Sequence, residues 1–279
     1  MTGDWARYWR AADRPLEAMH AHFERHVYHR HSHDAYSFGV TEDGAQTFRC
    51  RGAAHTSAAG MVMAFNPDDP HDGRAVDALG FTYRIVHIGP EVVADVLGDG
   101  AAAGLPLFPR PVLHSRVLAG ALRRLHRDLL DRASALRRDE SLADAVLAMG
   151  GLGAARPVRP RTAPSRRDSA RIVARAREVL DSTPEADADL GTLAAAAGRS
   201  RHAVYRAFHQ VYGIAPSDYQ RERRLRRARR LIAEGTAPGD AAAASGFADQ
   251  SHLNRWFRRY YGITPGVYAR GTSDAAGSR

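Results

Sequence analysis

The sequence predicts an α+β protein of two domains, a β-rich N-terminal domain with two following helices and an all-α C-terminal domain. Short apolar runs separated by turn residues extend from about Leu16 to Ile88, which is typical of a small β-barrel or sandwich. A segment rich in Gly, Pro, Arg and Ser begins at Gly150 and has no apolar period, as in an interdomain linker. Beyond it, apolar residues recur at three- and four-residue steps, the period of an α-helix.

The strands of the N-terminal domain are predicted at the runs AYSFGV, QTFRC, GMVMAF and LGFTYRIVHI. The tripeptide EDG at Glu42–Gly44 lies between the first two runs. Short sequences that contain glycine and lie between two strands favour tight turns. The tripeptide EDG therefore predicts a hairpin at this point.

Two amphipathic helices are predicted between Val112 and Met149. The first carries a leucine stripe made of Leu118, Leu122, Leu125, Leu129 and Leu130. Such a stripe either packs into the core of its own domain or contacts a second copy of the chain. We expect residues 101–150 to form a helical dimerisation segment and the protein to be a homodimer.

The net charge of +9 is distributed unevenly along the chain. Residues 1–165 carry 20 arginines and 19 acidic residues, whereas residues 166–279 carry 20 arginines and 12 acidic residues. This asymmetry predicts a polyanionic partner for the second part only. The single Cys50 excludes an intrachain disulfide and a multi-cysteine metal site, and it is expected to be a small buried side chain.

No apolar run approaches the length of a membrane span. The first residues are charged and are interrupted by Pro15, unlike a secretory signal. We therefore expect a cytoplasmic protein without a membrane partner.

A seven-residue phrase occurs twice in the basic part, as GIAPSDY at Gly213–Tyr219 and as GITPGVY at Gly262–Tyr268. The similarity extends backwards through a small-residue helix, a turn glycine, a polar capping residue and a second helix with two inward-facing apolar residues. This order predicts a helix-turn-helix whose second helix can enter a major groove. An α-solenoid is the alternative, but solenoids need at least three repeats and the sequence contains two.

Residues 169–270 resemble the DNA-binding domain of the AraC family of bacterial transcription regulators, through GFADQSHLNRWFRRYYGITPGVY and SRHAVYRAFHQVYGIAPSDYQRERRLRRARRLI. Residues 16–90 resemble the cupin-like sensor domain of that family, through HRHSHDAYSFGVTEDG and GMVMAFNPDDPH. The resemblance implies a cupin-like domain over residues 1–100, the dimerisation segment over 101–150, a linker over 151–167 and a double helix-turn-helix domain over 168–279. It also implies seven C-terminal helices, with a long one joining the two heads.

The residues expected to contact DNA project away from the apolar face of each second helix. Arginine can bond guanine with two hydrogen bonds, and glutamine or asparagine can do the same with adenine. The expected base-reading residues are Arg201, His202, Tyr205, Arg206, Gln250, Ser251, His252, Asn254 and Arg255. Ser200, Arg258 and Arg259 are expected to contact phosphates, which give affinity without sequence choice. The alternative for each single residue is a solvated surface position or a phosphate contact.

The histidines of HRHSHDAY lie at alternate positions and would share one face of a strand. The expected ligand-binding residues of the sensor domain are His29, His31, His33, Tyr36 and His71. Cupin enzymes bind a metal through a His-x-His pair, a Glu shortly afterwards and a later His, so His31, His33 and His71 are an alternative metal site. Ser37 and Phe38 stand where that Glu is expected. Sensor domains of this family usually lack a metal, and structural histidines are a third interpretation.

The resemblance implies a ligand-responsive, sequence-specific DNA-binding regulator that is not an enzyme and needs no cofactor. Its expected partners are double-stranded promoter DNA, a small-molecule effector and, for an activator, RNA polymerase. A cupin metalloenzyme fused to a DNA-binding domain is the alternative function. A third hypothesis is a purely architectural DNA-binding protein, but the expected sensor domain argues against it.

Overall fold

The computed structural model describes residues 3–98, 104–131, 133–151 and 165–273. The chain divides into two units, Met1–Ala163 and Pro164–Arg279. Of the expected linker at residues 151–167, residues 152–164 lie outside the described residues, whereas Gly151, Arg166 and Arg167 are helical, so the described ends of the linker are shorter than expected. No helix in the described ranges combines the length and the apolar character needed to cross a bilayer.

The first unit is a layered β-structure followed by helices. Its strands are β1 (Trp5–Arg10), β2 (Leu16–Phe23), β3 (Tyr28–His31), β4 (Tyr36–Cys50), β5 (Ala53–Ala58), β6 (Val62–Phe65), β7 (His71–Ala75), β8 (Phe81–Ile88) and β9 (Val112–Leu113). Its helices are α1 (Pro90–Leu97), α2 (Arg116–Leu130) and α3 (Ala135–Gly151). One antiparallel sheet has the order β1-β2-β8-β4-β6-β9, and β3, β5 and β7 form a second layer through the far half of β4.

The predicted hairpin at Glu42–Gly44 is wrong, because β4 continues through the tripeptide as one strand. The register of β4 against β8 shifts between Thr41 and Asp43, and Gly44 has a φ of +68°. A side chain at Gly44 would collide with the carbonyl oxygen of Gly80, so only glycine fits this close approach. The resulting bulge bends β4 and allows its first half to pair with β8 and its second half with β5 and β7.

The leucine stripe of α2 packs into the core of its own unit, together with α1, α3 and one face of the first sheet. Leu118, Leu122, Leu125 and Leu129 are between 0% and 2% exposed, whereas Val117 on the same helix is 69% exposed. Assigning this stripe to a dimer contact is therefore wrong, because the sheet face already covers it. The expectation that Cys50 is buried is confirmed, and burial raises the pKa of its thiol.

The second unit is entirely helical in its described residues. It contains α4 (Arg166–Ser182), α5 (Leu190–Ala197), α6 (Arg201–Tyr212), α7 (Pro216–Ala233), α8 (Pro238–Ala244), α9 (Gln250–Tyr261) and α10 (Pro265–Ser273). Helices α5 and α6 form one helix-turn-helix, and α8 and α9 form the other. We refer to them as the first and second heads. The polar caps form as expected, since Ser200 Oγ accepts from Ala203 N at 3.3 Å and Asp249 Oδ1 accepts from His252 N at 2.6 Å.

Helix α7 joins the two heads. Near its start, Gln220 Nε2 donates to the carbonyl of Ala186 at 2.9 Å, and Arg224 Nε donates to that of Pro184 at 2.7 Å. Its second half supplies buried apolar side chains to the core of the second head. Helix α8 contributes little but alanine to that core, and Phe247 and Phe257 fill the volume instead.

Candidate functional site

A cavity of about 90 Å³ lies within the β-structure of the first unit. Apolar side chains of β2, β4, β6 and β8 form much of its wall, among them Met19, Phe48, Met63, Phe65 and Ile85. The polar groups that converge on it are Tyr28, His31, His33, Gln46, His71, Asp72, Tyr83 and His87. An apolar cavity with a few convergent polar groups is the usual form of a small-ligand site.

Three of the predicted histidines meet in this cavity. One ring nitrogen from each of His31, His33 and His71 lies within 4.8 Å of the others. Cross-strand pairing of β3 and β7 places His31 directly opposite His71, and His33 follows β3 two residues later. Burial lowers the pKa of His71 to about 4 and also lowers the pKa of His33, so both rings are neutral at neutral pH.

Backbone carbonyls fix the orientation of two of these rings. His31 Nδ1 donates to the carbonyl oxygen of His29 at 2.7 Å, and His71 Nδ1 donates to that of Asp69 at 2.8 Å. A carbonyl only accepts hydrogen bonds, so Nδ1 of each of these rings carries a proton. The neutral ring of His71 therefore keeps its lone pair on Nε2. Metal-binding histidines are held in this way, so the three residues fit a transition-metal ion.

A fourth histidine, His87 on β8, was missed by the sequence analysis. Its ring centroid lies 4.4 Å from that of His33, and its Nδ1 shares a hydrogen bond of 2.8 Å with Ser37 Oγ. Burial, followed by the neighbouring His33, lowers the pKa of His87 to about 4. Alternation along β8 turns Tyr83, Ile85 and His87 to the same cavity, which is the sequence pattern that could have identified it.

Two other predicted ligand-binding residues do not reach the cavity. His29 is exposed, because the register of β3 shifts between Tyr28 and His31 and breaks the expected alternation. Tyr36 is buried on the opposite face of the sheet, where its hydroxyl donates to the carbonyl of Pro106 at 2.8 Å. Neither residue belongs to the histidine site.

In the second unit, α9 presents a polar surface. Gln250, Ser251, Arg255, Arg258 and Arg259 are exposed, and His252 and Asn254 are partly exposed. Leu253 and Phe257 hold the opposite face of the helix in the core. This is the distribution that the sequence predicted for a helix that enters a groove.

Two arginine side chains pack near the ring of Trp256 in α9. The guanidinium of Arg221 in α7 lies 3.8 Å from the centroid of the Trp256 ring system, and that of Arg259 lies 5.3 Å from it. The indole Nε1 also donates to His252 Nε2 at 2.9 Å. The spacing of apolar residues in α9 gave no indication of a role for Trp256.

Helix α6 presents fewer predicted residues. Arg201, Tyr205 and Arg206 are partly exposed, but His202 is only 5% exposed and does not project outward. Both α4 and α5 pack against α6, so its buried face is wider than the stripe inferred from Val204 and Phe208. Burial, followed by Arg206, lowers the pKa of His202 to about 4.

Two family models match the chain. An AraC-like ligand binding domain matches residues 15–147, and a helix-turn-helix domain matches residues 193–271. The chain is 28% identical over 228 residues to the uncharacterized HTH-type transcriptional regulator YbfI of Bacillus subtilis (strain 168), covering 80% of each protein.

Two further similarities are confined to part of the chain. The transcriptional activator NphR of a Rhodococcus species is 36% identical over 87 residues, which cover 31% of this chain and 26% of that protein. A crystal structure of an AraC-type transcriptional regulator from Chromobacterium violaceum aligns with a TM-score of 0.36 at 27% identity, covering 38% of this chain and 95% of that one.

Proposed function

We propose that this chain, which belongs to the AraC family of ligand-responsive, DNA-binding transcriptional regulators, reads promoter DNA with α6 and α9 and senses its effector in the histidine-lined cavity. The carrying observation is the surface of α9, where exposed Gln, Ser and Arg side chains surround partly exposed His252 and Asn254. Side chains of these types can discriminate bases through the major groove.

The dimensions of α7 support reading by both heads. The helix has 18 residues, which corresponds to a length of about 27 Å at 1.5 Å per residue. One turn of B-DNA is about 34 Å. A protein that carries one recognition helix near each end of α7 is therefore suited to successive major grooves on one side of the duplex.

We assign base reading to Gln250, His252, Asn254 and Arg255 in the second head and to Arg201, Tyr205 and Arg206 in the first. Ser251 is at the start of α9 and completes the reading surface. Ser200, Arg258 and Arg259 contact phosphates in this proposal. The excess of arginine in the second unit supplies the attraction to the duplex that does not depend on sequence.

The remaining parts of the proposal concern partners. The protein works as a regulator without catalysing a reaction, in the cytoplasm where promoter DNA is found. It acts as a homodimer through a surface other than the buried leucine stripe and contacts RNA polymerase when it activates. These assignments rest on the family and on the buried state of the stripe.

The test is selection of binding sequences from a random duplex library by the full chain, followed by affinity measurements on the selected duplex and a scrambled one. We expect a defined motif whose affinity falls steeply as salt rises. Arg116→Ala, which removes one exposed positive charge from the first unit, is the control for the affinity measurements. Failure to enrich any motif would contradict the proposed function.

A further inference from the structure

The histidine cavity has the donors of a metal site and too little space for most organic effectors. We infer that it binds one divalent transition-metal ion of the zinc class through His31, His33 and His71, and that this ion is the effector. The regulatory half of this inference rests on the proposed function, whereas the metal site itself does not.

Hydrogen bonds to the backbone already orient two of the three rings for metal binding. His31 and His71 each donate Nδ1–H to a backbone carbonyl, at 2.7 and 2.8 Å. Nε2 is therefore the nitrogen that each of these two rings can offer to a metal, and one ring nitrogen from each of the three histidines lies within 4.8 Å of the others. Neither ring needs a new tautomer to bind metal, which lowers the free-energy cost of forming the site.

The donor set selects the class of ion. Among the described residues, Asp72 is the one carboxylate on the cavity wall, and its Oδ1 accepts from the backbone nitrogen of Arg49 at 2.6 Å. The convergent ligands are imidazole nitrogens, which suit zinc, copper, nickel and iron. Calcium and magnesium require oxygen ligands, which the three histidines do not supply. The site should therefore bind Zn²⁺ and reject Mg²⁺.

The size of the cavity argues against a larger effector. Its volume is about 90 Å³, whereas pockets for drug-sized molecules measure about 300–1,000 Å³. An ion and a few water molecules fill such a space. Three protein ligands would leave a coordination position for a water molecule. His87 lines the same cavity, with its ring 4.4 Å from that of His33.

Binding also has a structural consequence. His31 and His71 face each other across the β3–β7 pair, whose register shifts between Tyr28 and His31. An ion bound by both residues would hold strands β3 and β7 together at this irregularity through the two histidine side chains. An ion that binds only the folded chain stabilises it by mass action, so metal binding and thermal stability should change together.

The direct test is a titration of the full chain, stripped with a chelator, with Zn²⁺ against a chromophoric competitor and with Co²⁺ followed by its visible absorption. We expect one ion per chain, a rise in melting temperature and no response to Mg²⁺. His71→Ala should weaken binding by at least about 100-fold, and so should His33→Asn, which keeps a polar side chain in the cavity.

His29→Ala is the matched control, because His29 lies in the same sequence motif but outside the cavity. Circular dichroism checks that each variant folds. The metal site is overturned if no stoichiometric binding occurs, if both cavity variants bind like the wild type, or if His29→Ala loses as much affinity as they do.

The regulatory half is tested on the selected duplex with and without Zn²⁺. We expect the dissociation constant to change by at least about 5-fold and this change to disappear in His71→Ala. Tight Zn²⁺ binding with unchanged DNA affinity would overturn the effector role and leave the metal site standing. A chain that selects no DNA sequence in either state fails the proposed function, and the titration alone then decides the metal site.

Discussion

Trp256 Nε1–H donates a hydrogen bond to His252 Nε2, 2.9 Å away and one turn earlier in α9. Burial, followed by the neighbouring Arg255, lowers the pKa of His252, which favours the neutral ring. Because Nε2 accepts, the single proton of the neutral ring is on Nδ1. His252 is thereby a hydrogen-bond donor, suited to acceptors such as guanine O6 and N7 or thymine O4.

We predict that Trp256→Phe relaxes sequence preference at one base pair while affinity elsewhere in the motif falls little. The phenyl ring keeps an aromatic face for Arg221 but cannot hold the His252 proton on Nδ1. The expected loss of discrimination is about 1 kcal/mol, measured on duplexes substituted one position at a time. An equal loss at every position would mean that Trp256 supports the helix as a whole. Trp9→Phe in the first unit is the control.

The second prediction separates base contacts from phosphate contacts. Arg255 is exposed, whereas the Nε of Arg206 is buried and burial lowers the pKa of that side chain. We expect Arg255→Ala to cost about 1–3 kcal/mol on the selected duplex and much less on a scrambled one, with a smaller specific loss for Arg206→Ala.

Arg259→Ala serves as the phosphate-contact comparison. It should weaken both duplexes about equally and reduce the slope of log affinity against log salt by about one. Binding at two salt concentrations measures both effects. If Arg255→Ala weakens the two duplexes by the same factor, Arg255 contacts phosphate and not a base.

The third prediction concerns the leucine stripe. Leu125 is fully buried, so Leu125→Ala should lower the free energy of unfolding of the first unit by about 2–5 kcal/mol. Val117→Ala on the exposed face of the same helix should change it by less than about 0.5 kcal/mol. Chemical unfolding followed by circular dichroism measures both. A stable, monomeric Leu125→Ala protein would instead indicate that the stripe contacts a partner.

The fourth prediction follows from His202, which has no hydrogen-bond partner for either ring nitrogen among the described residues. Burial lowers its pKa to about 4, whereas an unfolded histidine titrates near 6.5. Below pH 6.5 the unfolded chain therefore binds a proton that the folded chain does not. The free energy of unfolding should fall as the pH decreases from about 6.5 to 4, by about 2 kcal/mol at pH 5.

The measurement is the difference in unfolding free energy between the wild type and His202→Leu at pH 7.5 and pH 5. This difference should change by about 2 kcal/mol, since the variant lacks the titrating group. Val211→Ala, at an exposed position of the same helix, removes no titratable group and should leave the pH dependence unchanged. Identical pH profiles for the wild type and His202→Leu would show that His202 is hydrated in solution.

The sequence predicted the arrangement of a β-rich unit before a helical one and both helix-turn-helix heads, because apolar periods and caps are local properties. It failed at Glu42–Gly44, where the close approach of Gly80 bends the strand without ending it. It also failed at His29, where a register shift breaks the alternation. Both outcomes depend on contacts between residues far apart in the chain, which a local pattern does not contain.

The functional site also combines features that the local sequence predicts with features that depend on contacts between distant residues. The meeting of His31, His33 and His71 was predicted as one alternative, but His87 joins them from a strand more than fifty residues after His33. The burial of His202 depends on two helices that pack against α6. Spacing within one helix identifies its most buried positions, and the neighbouring elements decide how far burial extends around it.

The length of helix α7 also determines how far α9 is rotated relative to α6 about the α7 axis. Each residue of an α-helix advances it by 100° and 1.5 Å, so deleting one residue from α7 would turn one head by more than a quarter of a circle. The hydrogen bonds near Gln220 and the packing near Ile232 fix the two ends separately. If α6 and α9 both read DNA as proposed, the operator must present its two half-sites in the rotational setting that these 18 residues define. A spacer altered by half a turn of DNA would then leave one head facing away from its groove.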